Sequence, residues 1–221
     1  MSEVESRVIE ERVEEFNMEL VKEERIEQTG YLAIKRIVDI VVSIVGLAIT
    51  APIMLLATIA IKLESPGPII FKQTRLGKNG QEFTIYKFRS MVKNAEKNTG
   101  AVWAKKNDAR VTNVGRFIRK TRIDELPQFI NILKGEMTLV GPRPERPSLT
   151  DEFHQQYPGF KNRLLVTPGV TGLAQIKGGY DITPGQKYRL DKLYIKRRNL
   201  LLDIEIMFRT ALVMIIGDGA R

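Results

Sequence analysis

Two adjacent carboxylates, Asp124 and Glu125, stand in the stretch RIDELPQ (122–128) and have the residue types and spacing for catalysis. Cations precede them at Arg116, Arg119, Lys120 and Arg122. The later stretch VGPRPERP (140–147) presents Arg143 and Arg146 between prolines. Arginines and a divalent cation neutralise a diphosphate that a lone carboxylate would repel, and they orient its phosphorus for in-line attack. The pattern therefore indicates phosphoryl transfer.

The same two carboxylates also fit the start of a helix. Helical periodicity covers residues 114–133 and ends at Lys134-Gly135. Thr121 would cap a helix whose first turn contains Asp124, where acidic residues offset the helix dipole. Pro127 favours a later start, because proline suits a first turn. The helix-start explanation stays open beside the catalytic one.

Two strand-like runs flank Asn79-Gly80 within residues 66–91, and that dipeptide is a strong hairpin signal. The second run carries Lys87 and Arg89 on one strand face, where two cations suit phosphate. A solvated edge strand explains them about as well. We predict a β-hairpin that contributes Lys87 and Arg89 as candidate phosphate ligands.

Composition narrows the chemistry. The 221 residues contain no cysteine and one histidine, His154, which excludes disulfides, thiolate catalysis, Cys-ligated zinc and His-cluster metal sites. Any metal must bind oxygen ligands, which favours Mg²⁺.

The formal net charge is +9, yet residues 1–30 hold 4 Lys/Arg against 10 Asp/Glu, and the other 191 hold 31 against 16. The basic part calls for an anionic partner, and charge alone leaves nucleic acid, lipid headgroups and phosphate-bearing small molecules open.

A membrane segment runs from Ile37 to Ile61, 25 residues with Asp39 as the only charge. A straight helix of that length would measure about 38 Å, more than the roughly 30 Å hydrocarbon core. Pro52 divides it into arms too short to cross, and basic residues flank both ends. Both ends can therefore face the cytoplasm in a re-entrant helix. A kinked single span with its N-terminus outside is the alternative.

Amphipathic stretches complete the chain. Residues 5–28 predict an acidic surface helix and residues 187–198 a basic one, while 200–216 is apolar but carries charges that argue against a span. We predict an acidic amphipathic N-terminal helix (1–30), a Pro-broken re-entrant membrane helix (31–62) and a cytoplasmic-face catalytic domain (63–221). The expected fold class is α+β, mainly helical with a small β-hairpin and interfacial amphipathic helices.

Several segments in this order carry a family resemblance: the membrane run with SPGPIIFKQTRLG after it, then IYKFRSM, IRKTRIDELPQFINILKGEMTLVGPRP and VTPGVTGLAQIKG. They resemble the monotopic polyprenyl-phosphate phosphoglycosyl transferases, also called bacterial sugar transferases, from about Tyr31 to the C-terminus. The DEL and GPRP motifs are highly specific in combination with the preceding membrane run.

The resemblance implies transfer of a phosphosugar from a UDP-sugar to undecaprenyl phosphate, with release of UMP. It implies that Asp124 is the covalent nucleophile and helps bind Mg²⁺, while Glu125 assists beside it. Arg119 and Arg143 match the phosphate-contacting arginines of the family. The turn prolines on either side of the second arginine, counted with the substrate-binding residues, are Pro142 and Pro144.

The resemblance also favours the re-entrant helix, broken at Pro52. Many relatives place a serine before that proline, whose hydroxyl can cap a freed carbonyl, whereas this chain has Ala51. Either Thr50 substitutes for that serine, or Pro52 alone is enough to break the helix.

The expected setting is the cytoplasmic face of a bacterial inner membrane, with a UDP-sugar, undecaprenyl phosphate and the bilayer as partners. Exopolysaccharide, capsule or lipopolysaccharide assembly is the destination by analogy. Nucleic acid is not expected, because the interleaved aromatics of single-strand binders are missing. The sugar and the oligomeric state stay open, with a homodimer among the options. The competing hypothesis is a membrane-anchored basic protein that binds anionic lipid or nucleic acid without catalysis.

Overall fold

The computed structural model describes residues 29–93, 95, 108–178 and 182–216 of the chain. The predicted acidic N-terminal helix lies outside the described residues. The proposed division of the chain into three regions stays a prediction.

The first described element is one long helix, α1 (Thr29–Glu64). The helix runs from Thr29 to Glu64 with Pro52 inside it, and the predicted break of the helix at this proline stays a prediction. The Thr50 hydroxyl donates to the Gly46 carbonyl at 2.6 Å. It therefore does not cap the carbonyl that Pro52 frees, which belongs to Ala48 four residues earlier. Within the described ranges, α1 is the one helix long and apolar enough to cross a membrane.

The two faces of α1 differ in what they contact. Exposed apolar side chains follow one face along the helix, among them Ile37, Val41, Ile44, Ile49, Leu56, Ile59 and Leu63. The other face packs on the rest of the molecule. Gly46 lies against the Phe129 ring, where an added Cβ would come within 2.9 Å, and Ala57 and Ile61 are buried. The long helix is thus apolar towards its surroundings and tightly packed towards the protein.

Strands β1 (Ile70–Leu76) and β2 (Glu82–Phe88) form the predicted antiparallel hairpin. A short 3₁₀ turn, Lys78–Gly80, joins them. Asn79 and Gly80 adopt positive φ angles of 57° and 76°, which these two residue types tolerate better than others. The hairpin prediction is confirmed.

The single helix predicted over 114–133 is wrong. The chain instead forms α2 (Asn113–Lys120), a 3₁₀ turn (Ile123–Glu125) and α3 (Gln128–Lys134). The break falls at Arg122, which adopts a left-handed φ of 59°. That conformation is unfavourable for a residue with a Cβ, so sequence periodicity gave no sign of it.

The ends of α2 and α3 test the capping predictions. Thr121 is not an N-cap: its hydroxyl donates back to the Phe117 carbonyl at 2.9 Å and terminates α2. Pro127 stands immediately before α3, where its missing N–H costs nothing. Gly135 ends α3 with a φ of 83°, as the stop signal predicted.

The remaining elements follow in order. Two three-residue strands, β3 (Thr138–Val140) and β4 (Gly169–Thr171), pair in parallel and form a second small sheet that was not predicted. The other helices are α4 (Pro147–Gln156), α5 (Leu173–Gly178), α6 (Pro184–Arg197) and α7 (Leu200–Ile216), and a 3₁₀ segment covers Phe160–Leu165. Helices with small strand pairs confirm the α+β class.

A polar cluster joins α1 to the C-terminal helices. Asp203 of α7 accepts hydrogen bonds from Tyr31 at 2.9 Å, Lys35 at 2.5 Å and Tyr194 at 2.8 Å. On the next turns of α1, Asp39 accepts from the Thr138 hydroxyl at 2.7 Å and from a backbone N–H of β3 at 2.9 Å. These bonds fix the beginning of α1 on the body that carries the acidic pair.

Candidate active site

Asp124 lies in the 3₁₀ turn between α2 and α3, where the left-handed Arg122 redirects the chain. Asp124 is only 7% exposed, yet its carboxylate forms no hydrogen bond or ion pair with any residue in the described ranges. A buried carboxylate without a donor is costly to ionise. Such a group indicates a ligand site or a reacting group rather than a structural one.

Glu125, the next residue, forms two ion pairs through one carboxylate oxygen. Its Oε1 accepts from Lys87 Nζ at 2.7 Å and from Arg143 Nη2. Its side chain is 12% exposed, so these are partly desolvated ion pairs, in which charge-assisted hydrogen bonds are strong. Glu125 thereby joins the β2 cation to the cation of the Pro-Arg-Pro loop.

The surroundings push the two neighbouring acids in opposite directions. Burial raises the pKa of Asp124 to about 6, with the charge of Glu125 adding to the rise and Lys87, Arg119 and Arg143 opposing it. Burial acts on Glu125 as well, but Arg143 and Lys87 hold the pKa of that carboxyl far below its usual range. Neighbouring acids with separated pKa values are typical of catalytic pairs.

Arg119 reaches the acidic pair from the last turn of α2. Its Nε donates to the Ser90 hydroxyl at 2.7 Å, while its terminal guanidinium nitrogens have no hydrogen-bond partner among the described residues. The N-terminal turn of α2 docks closely on the segment that follows β2, since a Cβ at Gly115 would lie 2.0 Å from the Ser90 carbonyl oxygen. This close docking aims a cation with free donors towards Asp124.

Arg143 is held through its side chain and its backbone. Its Nη1 donates to the Val170 carbonyl of β4 at 3.2 Å, and its own carbonyl accepts from Arg163 Nη2 at 2.8 Å. Arg163 in turn pairs with Asp191 of α6 at 2.7 Å, and both side chains are at most 2% exposed. A buried ion pair thus holds the backbone of the Pro-Arg-Pro loop.

A second pair supports the same loop. Glu145 accepts from Lys187 of α6 and lies 3.5 Å from Arg75 of β1. Its carbonyl accepts from the backbone N–H of Leu76 at 3.0 Å. We call the buried set behind the loop the supporting network; its members are Arg75, Glu145, Arg163, Lys187 and Asp191.

The structure brings Lys87, Arg119 and Arg143 to the acidic pair, but it does not bring Arg89 there. The Arg89 guanidinium donates to the carbonyls of Ser65 and Pro66 at 2.7 and 2.9 Å. Those carbonyls follow the end of α1, where backbone acceptors lack helical partners. Arg89 therefore fastens the end of α1 to the hairpin.

The two loop prolines contribute shape and backbone acceptors. The Pro142 carbonyl accepts from the Gly169 N–H at 3.0 Å, and the Pro144 carbonyl accepts from Arg75 at 3.1 Å. Neither proline has an N–H to offer a phosphate. Their effect on the site is to hold the arginine between them.

Sequence reasoning missed several residues that position the site. Asp39 is the only charge in the apolar run, and a charge in such a run signals a buried partner, which here is β3. Lys187 and Asp191 lie four residues apart on α6, in a stretch whose sequence predicts a basic surface helix, yet both are buried in the supporting network. Their partners are distant in sequence, so spacing on one helix could not identify them.

The bacterial sugar transferase family matches residues 30–217. The match covers all of the described site and most of the chain, and the chain belongs to this family.

Three relatives show how the similarity is distributed. The chain is 46% identical over 194 residues to a UDP-N-acetylgalactosamine-undecaprenyl-phosphate N-acetylgalactosaminephosphotransferase of Aeromonas hydrophila, covering 86% of this chain and 46% of the relative. It is 41% identical over 194 residues to a UDP-glucose:undecaprenyl-phosphate glucose-1-phosphate transferase of Klebsiella pneumoniae (86% and 42%). It is also 41% identical over 201 residues to an undecaprenyl-phosphate galactose phosphotransferase of Salmonella typhimurium (85% and 41%). The chain spans less than half the length of these relatives, whose names share the lipid and differ in the sugar.

Proposed function

We propose that this chain transfers a sugar 1-phosphate from a UDP-sugar to undecaprenyl phosphate, with Asp124 as the nucleophile. The observation that carries the proposal is the buried carboxylate of Asp124, without a donor of its own, in the field of Lys87, Arg119 and Arg143. The names of the relatives support the substrate class. Carboxylates serve as covalent nucleophiles in other phosphoryl transfers.

The first step exchanges one phosphorus–oxygen bond for another. A carboxylate oxygen of Asp124 attacks the sugar-bearing phosphorus, and the bond from that phosphorus to the bridging oxygen breaks. UMP leaves with the bonding electron pair, and its charge is offset by Arg119 and Arg143. Glu125 is not consumed: it keeps Lys87 and Arg143 in position through its two ion pairs.

In the second step, a phosphate oxygen of the lipid attacks the same phosphorus. The bond from that phosphorus to Asp124 breaks, the carboxylate is restored, and a new diphosphate forms. One diphosphate has been exchanged for another, so the overall reaction is nearly balanced. We therefore expect UMP alone to reverse the first step.

The chemistry of the donor set fits Mg²⁺. This ion prefers oxygen ligands and commonly binds through one or two carboxylates together with substrate phosphates. Asp124 offers carboxylate oxygens that no neighbouring donor occupies, and the described residues contain no cluster of three acidic or histidine side chains that would hold a metal alone. Asp124 would hold the ion jointly with the diphosphate, and the bound ion would neutralise phosphate charge.

We also propose that α1 enters the bilayer and returns to the cytoplasmic side. Near its start, Arg36 donates to the carbonyls of Ile132 and Leu133 at 2.6 and 2.8 Å. At its end, the Glu64 carboxylate accepts from the first backbone N–H groups of α2 at 2.8 and 3.0 Å. Polar contacts at both ends reach the same body, which a helix with its ends in different compartments would not allow.

The absence of cysteine makes this topology testable by labelling. Gly30→Cys and Glu82→Cys place single thiols at two exposed positions, one at the start of α1 and one on the hairpin. We expect a membrane-impermeant maleimide to label both variants in inverted vesicles and neither in intact cells. Labelling of Gly30→Cys alone in intact cells would establish the single-span alternative.

The activity is tested by UMP release from detergent-solubilised protein supplied with Mg²⁺, undecaprenyl phosphate and UDP-N-acetylgalactosamine, UDP-glucose or UDP-galactose. Wild type is compared with Asp124→Asn and with Asp151→Asn, a carboxylate on the exposed surface of α4. We expect turnover with at least one sugar, loss in Asp124→Asn and no change in Asp151→Asn. A folded wild type that is silent with all three sugars would favour a binding protein without catalysis.

A further inference from the structure

An apolar cleft of about 160 Å³ adjoins the acidic pair. Four elements enclose it: the start of α3, strand β4, helix α5 and the end of α7. Its apolar walls are formed by Leu126, Phe129, Ile176 and Val213. On the side of the acidic pair, the cleft is lined by Arg122 and Glu125. The steps proposed above leave this cleft without an occupant.

The walls favour a hydrocarbon over a sugar or a nucleoside. Sugars and bases require several convergent polar groups, whereas an apolar chain is bound by burial alone. The cleft also joins surfaces suited to lipid. Phe129 packs on Gly46 of α1, and α7 exposes Leu201, Ile204 and Phe208, so a chain could pass from the bilayer to the site without crossing water.

Three uncharged polar residues also line the cleft. The hydroxyls of Thr171 and Thr210 are hydrogen-bonded to each other at 2.7 Å, whereas Gln175 of α5 differs from them. Its side-chain nitrogen and oxygen are both buried, and neither has a hydrogen-bond partner among the described residues. An amide left unsatisfied in an apolar cleft costs stability unless a ligand completes it. Arg122, at the same cleft, has a left-handed backbone, a strained conformation that is concentrated at functional sites.

We propose that this cleft binds the first isoprene units of the acceptor lipid, with the lipid phosphate at Arg122 and the Gln175 amide donating to it. The proposal rests on the proposed function, because it assigns a place to the second substrate of that reaction. It also explains how a membrane-embedded substrate and a water-soluble one reach the same carboxylate from different sides.

The test separates the two substrates. Val213→Trp fills the cleft, and Leu212→Trp places the same side chain one residue earlier on the exposed face of α7. We expect Val213→Trp to raise the KM for undecaprenyl phosphate about tenfold or more, and Leu212→Trp to leave it within twofold. The exchange of labelled UMP into the UDP-sugar, which needs no acceptor, should keep its KM for the donor in both variants.

Gln175→Leu gives a second variant that is not expected to weaken the fold, since it removes an unsatisfied amide. We expect a rise of about tenfold in the KM for undecaprenyl phosphate, with thermal stability equal to or above that of wild type. An acceptor KM within twofold of wild type in both Val213→Trp and Gln175→Leu would overturn the proposal.

Direct binding keeps this result distinct from a failure of the proposed function. Calorimetric titration with farnesyl phosphate in detergent should show binding to wild type and to Leu212→Trp, and about tenfold weaker binding to Val213→Trp. Separate titrations with inorganic phosphate and with farnesol show whether the phosphate or the isoprenoid chain contributes most of the binding affinity. Equal affinity of wild type and Val213→Trp would refute the cleft as the site, even if no donor exchange were observed.

Discussion

Asp124 and Asp191 are both buried aspartates in the neighbourhood of arginines, but only one of them is paired. Asp191 is paired with Arg163 at 2.7 Å, with both side chains almost fully covered. Asp124 has no donor in the described part of the chain, although three cations lie close enough to affect its pKa. The supporting network satisfies its charges internally, whereas the acidic turn leaves one charge for a ligand.

The comparison shows that a cluster of cations and acids does not by itself identify a catalytic site. What distinguishes the acidic turn is incomplete pairing under burial, which costs stability and persists where function requires it. Glu125 is intermediate between the paired Asp191 and the unpaired Asp124. Glu125 is paired like Asp191, but the charges of its partners Lys87 and Arg143 also act on Asp124.

Removing the unpaired carboxylate should have the largest effect on turnover. We expect Asp124→Asn to lower kcat for UMP release at least about a thousandfold, since the amide cannot act as the nucleophile. Purified variants are assayed at saturating donor and acceptor. Residual activity within tenfold of wild type would mean that another group attacks the phosphorus.

Breaking the paired aspartate should act on stability instead. Asp191→Asn removes the charge that balances buried Arg163, and we expect a loss of about 3–5 kcal/mol in the free energy of unfolding. The control is Asp151→Asn, whose pair with Lys161 is about half exposed and worth at most about 1 kcal/mol. Denaturant titration measures both, and similar losses in the two variants would remove the distinction between buried and exposed pairs.

Arg143→Lys should lower turnover by an intermediate amount. A lysine keeps the charge but loses the planar fork that contacts Glu125 and the Val170 carbonyl. We expect kcat/KM for the UDP-sugar to fall about 10–100-fold, an effect of roughly 1.4–2.7 kcal/mol. Arg209→Lys, on the exposed face of α7, should be unchanged; an equal response would indicate that total charge matters rather than geometry.

The raised pKa of Asp124 predicts a smaller effect on stability with a definite sign. The folded state holds the proton up to about pH 6, while the unfolded chain releases it near pH 4. As far as Asp124 is concerned, wild-type protein therefore keeps its full free energy of unfolding below about pH 4, where Asp124 is protonated in both states. It loses part of that free energy as pH rises through about 6, where the buried carboxyl must ionise. Without Mg²⁺ or substrate, Asp124→Asn should therefore exceed wild type by about 1–3 kcal/mol at pH 8, and the gain should vanish at pH 4.

Denaturant titration at the two pH values, with chelator present, measures this difference. A variant that is less stable than wild type at pH 8 would show that the Asp124 carboxylate stabilises the fold, contrary to the comparison with Asp191.

Local signals predicted much of the fold. Asn79-Gly80 predicted the hairpin, Gly135 predicted the end of α3, and Pro127 stands beside its start, because each depends on backbone chemistry confined to a few residues. The break at Arg122 was not predictable, since nothing in its side chain favours a left-handed backbone. The pairing of β3 with β4 also escaped detection, because three-residue strands leave little alternation to recognise.

The residues of the site also fall into two groups, those that the local sequence identifies and those that only the fold brings together. The motif residues Asp124, Glu125, Arg119 and Arg143 were identified from their types and order, and the structure brings them together. Arg89 was placed on the phosphate side from its strand position, but helix-end carbonyls beyond α1 take its donors. Contacts such as Arg163 with Asp191 join distant parts of the chain, and only the fold could show them.

The most direct test of the central claim is the intact mass of the protein after incubation with Mg²⁺ and the accepted UDP-sugar, without acceptor lipid. We predict an increase equal to one sugar phosphate, localised to Asp124 by peptide mapping, absent in Asp124→Asn and removed by adding either UMP or undecaprenyl phosphate. An enzyme that turns over with both substrates, yet never carries this mass under donor-only conditions and shows no UMP exchange, would contradict the assignment of Asp124 as a covalent nucleophile.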